Sequence, residues 1–94
     1  MGVRSEHVVD IATIETGVKR IISEELGVEI QSISPDTDII GDLDAHQADL
    51  DTIKTAAEYK FHIRISDENW KRMKCVRDIV HLVDVYLEIK QIEM

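Results

Sequence analysis

The sequence is short of anything that would brace it covalently: it holds one cysteine, Cys75, one proline, Pro35, and four glycines in 94 residues. A lone thiol excludes an internal disulfide and suits a reducing compartment. No apolar run approaches the roughly 20 residues that span a bilayer, and the N-terminus lacks a basic segment leading into an apolar one. A soluble, cytoplasmic protein is therefore expected. Met1-Gly2 does not make a myristoylation signal, because Glu6 stands where serine or threonine is needed. Basic residues are also scarce. Eleven against nineteen acidic ones leave a net charge of −8, which repels phosphate backbones and anionic headgroups. This argues against nucleic acid and membranes as partners and for proteins with a basic docking patch.

What is present is helical periodicity in a chain of one-domain length, long enough to bury about 60–65% of its unfolded surface. Ile14, Val18, Ile21, Ile22 and Leu26 repeat at helical spacing, with Thr13 as the expected N-cap and Gly27 placed to end the helix in the left-handed conformation. Residues 1–12 read as an N-terminal extension, although Val8, Val9 and Ile11 could lengthen the helix backwards. Gly17, inside the helix, costs about 1 kcal/mol relative to alanine and asks for a packing reason. Residues 28–46 form a long connection carrying Val28, Ile30, Ile33, Ile39, Ile40 and Leu43, enough apolar surface to fold over the domain. Leu50, Ile53, Ala57 and Phe61 then share one face of a second helix over 47–61. Asp44 with Gln47 three residues on suggests a capping box at its start. Ser66 and Asp67 cap a short third helix through Met73, and Val76, Ile79, Val80, Val83 and Leu87 mark a fourth. The division expected is extension 1–12, domain 13–88 and a fraying tail 89–94.

Helix, long packed loop, helix, short helix, helix: in this order the sequence resembles an acyl carrier protein. Ile14 to Ile22 with Glu24-Glu25-Leu26-Gly27-Val28 is similar to the family's first helix and its exit, and Ile33 matches a loop anchor. Asp42-Leu43 followed by Ala45 matches Asp-Leu-Gly-Ala, Phe61 the aromatic ending helix two, and Ile65-Ser66-Asp67-Glu68 resembles Ile-Pro-Asp-Glu. The match runs ungapped from about Ile14 to Tyr86. The resemblance implies an all-α, acyl-carrier-protein-like four-helix bundle with a long loop between helices 1 and 2 and a short third helix.

It also implies what is altered. At His46-Gln47-Ala48 the family carries Asp-Ser-Leu, and its serine is joined through a phosphodiester to 4′-phosphopantetheine. Gln47 has no hydroxyl, and a carboxamide nitrogen, delocalised into its carbonyl, is no substitute nucleophile. Ser34 and Ser66 lie away from this position, and Thr52 and Thr55 belong inside helix two. Asp44 replaces a glycine and Ala48 a larger apolar residue. The family's acidic row on helix two is diluted here: Asp49, Asp51 and Glu58 are interrupted by Lys54 and Lys60, with Thr52 and Tyr59 among them. The reading that follows is a carrier-like interaction module, monomeric and not an enzyme, meeting partners from fatty-acid, polyketide or related acyl metabolism. Asp44, His46, Ala48, Asp49, Thr52 and Glu58 are the expected contact residues. The alternatives are a true carrier bearing 4′-phosphopantetheine at another site, or a non-covalent binder of acyl chains or small ligands.

Other chemistry is poorly supported by spacing. Asp38, Asp42, Asp44, His46, Asp49 and Asp51 cluster, but without the alternation and central glycine of an EF-hand they read as a solvated acidic face. His7, His46, His62 and His81 lack paired ligand spacing. Cys75 and His81 are six residues apart, off a helical i, i+4 pairing, and Cys75 is read as a small half-buried residue. Trp70, Met73 and Tyr86 are assigned to the core rather than to a ligand cavity.

Overall fold

The computed structural model describes residues 10–92, and over these it forms α1 (Ile11–Leu26), a 3-10 turn (Ile30–Ser32), α2 (Gln47–Phe61), α3 (Asp67–Trp70) and α4 (Val76–Ile92). This is the expected all-α bundle. The apolar stripes converge: Ile14, Val18 and Ile22 from α1, Ile53 and Ala57 from α2, and Val76, Ile79, Val80 and Val83 from α4 are buried together. Each of these isoleucines and valines, removed from water, contributes about 1.5–3 kcal/mol toward the cost of ordering the chain. α1 packs against both α2 and α4. Leu50 and Phe61 complete the α2 stripe half-buried at its margins.

Gly17 has the packing reason its position demands. A Cβ there would lie 2.9 Å from Lys60 Cε and 3.0 Å from Phe61 Cζ, so its absence lets the end of α2 close onto α1. Gly27 ends α1 at φ 69°, its N–H donating to Ser23 O, as expected.

The long connection is folded onto the bundle by Ile33 and Ile39, both buried, while Val28, Ile30 and Leu43 are half-buried and Ile40 is exposed. Its backbone is then tied to the segment before α4. Ile39 N–H donates to Lys74 O, Val76 N–H to Thr37 O and Arg77 N–H to Pro35 O, with Asp38 and Cys75 forming an isolated antiparallel bridge. Cys75 is half-buried just ahead of α4.

Several boundaries differ from expectation. α1 starts at Ile11 after Asp10, not after a Thr13 cap, because Thr13 and Ile14 N–H groups both donate back to Asp10 O. Val8 and Val9, considered as a backward extension, lie outside the described residues. α3 ends at Trp70 rather than Met73; the Arg72 and Met73 N–H groups donate only short-range turn bonds, to Asn69 O and Trp70 O. α4 continues to Ile92, past the expected end of the domain at residue 88.

α4 begins with a cap that the apolar spacing could not reveal. Asp78 Oδ2 accepts from Lys74 N–H at 3.0 Å and Cys75 N–H at 3.2 Å. Burial pushes this carboxyl up, but the two backbone donors, the Cys75 thiol and nearby Arg77 outweigh it and hold it below the ordinary range. Because the folded value is depressed, its contribution is present above the unfolded value of about 3.9 and is lost as pH falls through the folded value. Asp78→Asn is expected to lower stability by about 1 kcal/mol near neutral pH. In urea titrations the gap between variant and parent should close in strong acid; a constant gap would show that charge is not its source.

Candidate functional site

The loop entering α2 reverses direction through its own carboxylates. Asp38 Oδ1 accepts from Ile40 N–H (3.1 Å) and Gly41 N–H (2.8 Å), and Asp42 Oδ2 accepts from Asp38 N–H (2.8 Å). These acids thus serve backbone donors, and among the described residues no three His, Cys, Asp or Glu side chains converge as a cation site would need. Asp44 follows at φ 59°, in the left-handed region. Its N–H donates to Ile40 O and the next, of Ala45, to Ile39 O, which seats Ala45 in the core.

That backbone corrects the expected capping box. Asp44 is not the N-cap and Gln47 is not its partner: His46 is the N-cap, at φ −100° and ψ 168°, and Gln47 is the first helical residue. The reciprocal carboxylate is Asp49, whose Oδ2 accepts from His46 N–H at 3.0 Å. A left-handed residue is a poor N-cap, since that position takes extended backbone, so the helix starts two residues later. The same φ explains why a glycine suits position 44. Aspartate is among the side chains that tolerate it best. Asp44→Gly is expected to leave stability within about 0.5 kcal/mol, whereas Asp44→Val should lower it by about 1–2 kcal/mol, read by thermal unfolding.

Gln47 is exposed, and its Nε2 donates to Asp51 Oδ1 at 3.3 Å. It stands at one end of an open cleft of about 490 Å³ between α2 and α3, lined also by Asp51, Lys54, Thr55, Asp67 and Trp70. Lys54 and Asp67 bridge the two helices at 2.8 Å. The hydrogen bond to Asp67 raises the Lys54 ammonium above its ordinary value and correspondingly lowers the Asp67 carboxyl. Trp70 lies at the junction of cleft and core, only 7% exposed. Sequence reading missed the Lys54–Asp67 bridge, since its partners are thirteen residues apart on different helices.

The expected contact residues divide by what their side chains already do. Asp44, His46, Ala48 and Thr52 are exposed. Thr52 Oγ1 donates to Ala48 O, and the half-buried Glu58 accepts from Ile65 N–H at 2.8 Å. Asp49 is likewise half-buried, occupied by the helix start. Tyr86 is held by Asn69 Nδ2, which donates to its hydroxyl at 2.9 Å, and Met73 packs half-buried against the core.

A four-helix bundle with a long packed loop, leading through an acidic turn to an exposed first residue of α2, defines a carrier-protein architecture. Sequence comparison agrees. The model of the phosphopantetheine attachment site family matches residues 16–83. The acyl carrier protein of Micrococcus luteus is 35% identical over 71 residues, covering 76% of this chain and 88% of that protein. Those of Solidesulfovibrio magneticus and Helicobacter hepaticus are each 34% identical over 67 residues, covering 71% of this chain and 86% and 88% of theirs. The chain belongs to the phosphopantetheine attachment site family.

Proposed function

We propose that this family member acts as an acyl-carrier-like module that recognises its partner without a covalent arm, through the surface where the long loop meets α2. The observation that carries the reading is Gln47 at the first position of α2, its carboxamide turned to Asp51, in a stretch with no hydroxyl between Thr37 and Thr52. On this reading Gln47 stands where the family has its serine, supported by the likeness of Asp42-Leu43 and Ala45 to Asp-Leu-Gly-Ala. The neighbouring hydroxyls fit the prosthetic group no better. Thr37 is buried and accepts from Ser34 N–H, while Thr52 is bonded to the preceding turn of α2. Ser34 shares a hydrogen bond with Thr37, and Ser66 caps α3 by accepting from Asn69 N–H. Among these neighbouring hydroxyls, covalent attachment of 4′-phosphopantetheine therefore finds no suitable oxygen.

The partners are proteins of acyl metabolism with a basic docking patch, met by Asp44, His46, Ala48, Asp49, Thr52 and Glu58. Since Asp49 and Glu58 are bonded to backbone donors, Asp44 supplies the freest charge of this set. The test is intact mass after incubation with coenzyme A and a broad-specificity phosphopantetheinyl transferase. The native chain should remain unmodified, and Gln47→Ser should gain the arm. A loaded native chain would overturn the proposal and send peptide mapping after the true site.

A further inference from the structure

A second cleft, of about 410 Å³, lies at the other end of α2, where it closes onto α1. Gln47 and Lys60 are thirteen residues apart on one helix, about 20 Å at 1.5 Å per residue, so this cleft is separate from the site above. Thr13, Thr16, Gly17 and Arg20 form its α1 wall, at i, i+3, i+4 and i+7, and Lys60 with Phe61 forms the α2 wall. Among the described residues no carboxylate lines it. In a chain with nineteen acidic side chains and a net charge of −8, two cations share a cleft to which the described residues bring no acid.

Among the described residues both cations are also without an acidic partner. Among the described residues the ion pairs are Lys19 with Glu15, Lys54 with Asp67 and Arg77 with Asp36; neither Arg20 nor Lys60 is in one. Glu24, one turn beyond Arg20, does not reach ion-pair distance. The position of Lys60 follows from Gly17: its Cε and Cδ pass where a side chain at 17 would stand, 2.9 and 3.6 Å from the missing Cβ. A residue that weakens α1 by about 1 kcal/mol thus gives a lysine stem room against the helix, in the cleft that Arg20 also lines. Like charges brought to one concavity repel, and an anion between them converts that repulsion into two charge-assisted hydrogen bonds. Arginine offers a planar fork and lysine a point charge, a pairing suited to phosphate or carboxylate oxygens. The Phe61 ring supplies an apolar wall beside them.

We propose that this α1–α2 cleft binds a small organic anion, a phosphate or carboxylate head on an apolar body, held by Arg20 and Lys60 with the body against Phe61. It is independent of the reading of Gln47. The experiment is an amide chemical-shift titration of the full chain with phenyl phosphate, benzoate and, as the neutral control, benzyl alcohol, at constant ionic strength. Phenyl phosphate and benzoate share the ring and differ in the head, so whichever binds more tightly identifies the source. Shifts confined to Thr13, Thr16, Gly17, Arg20 and Lys60, with millimolar or tighter saturation, are expected from at least one anion and not from the alcohol. Lys60→Met and Arg20→Met keep the stems and remove the charges; each should weaken binding about fivefold or more while leaving the remaining spectrum unchanged. Equal shifts from the alcohol, no shifts from either anion, or undiminished binding by both folded variants would overturn the proposal.

Discussion

Trp70→Ala is expected to lower stability by about 3–5 kcal/mol, the range for removing a large aromatic from a core. In a domain of this size that is a large part of a total of about 5–15 kcal/mol, and the midpoint of thermal unfolding should fall by about 15–30 °C. The size of the loss follows from where the indole is. Trp70 ends α3, its N–H donating to Ser66 O, and it is 7% exposed among the residues of the central cluster. One edge nonetheless borders the cleft with Gln47 and Lys54. Trp70→Phe keeps an aromatic ring and should lose about 1–2 kcal/mol. Unfolding must be followed by circular dichroism, because Trp70 is the only tryptophan. A loss below about 1 kcal/mol for the alanine variant would mean that water fills the site, and that the ring belongs to the cleft rather than to the core.

The three long helices were legible because burial imposes a period. Ile14, Val18 and Ile22, then Ile53 and Ala57, then Val76, Ile79 and Val83 are apolar at helical spacing, and all are buried. Gly27 was legible because a single residue in the left-handed region is glycine's role. Gly17 was legible only as a question; Lys60 and Phe61, more than forty residues away, answer it. The N-terminus of α2 misled for a related reason. Aspartate is both a preferred N-cap and one of the side chains best suited to positive φ, and composition alone does not say which use Asp44 has. The answer lies in the loop, where Asp44 N–H donates to Ile40 O and fixes the turn before the helix can begin. Asp38 with Cys75, Lys54 with Asp67 and Glu58 with Ile65 are likewise tertiary pairings. Their partners are set by how the helices pack, so no local pattern announces them. Around Gln47, the start of a helix over 47–61 was legible, but its cap and the neighbours of Gln47 in space were not.

Serine at position 47 is expected to take the prosthetic arm with little change in stability, converting a chain that stays unmodified into one that is largely loaded under the same transferase treatment. The structural cost is small because Gln47 is exposed and its recorded side-chain bond, to Asp51 at 3.3 Å, lies at the surface. Such a bond contributes about 0.5 kcal/mol or less. The helix start does not depend on Gln47: His46 is the N-cap, and Asp49 accepts from its N–H. A thermal midpoint within a few degrees of the parent should therefore accompany loading, so that failure to load cannot be blamed on unfolding. If folded Gln47→Ser stays bare, the block lies in the flanking residues, and His46→Asp with Ala48→Leu should restore loading by returning them to the family's pattern. If that triple variant is also bare, the surface of α2 is no longer read by the transferase, and the carrier ancestry survives in the bundle alone. Stoichiometric loading by the single substitution would instead leave the hydroxyl as the whole difference between this chain and a carrier.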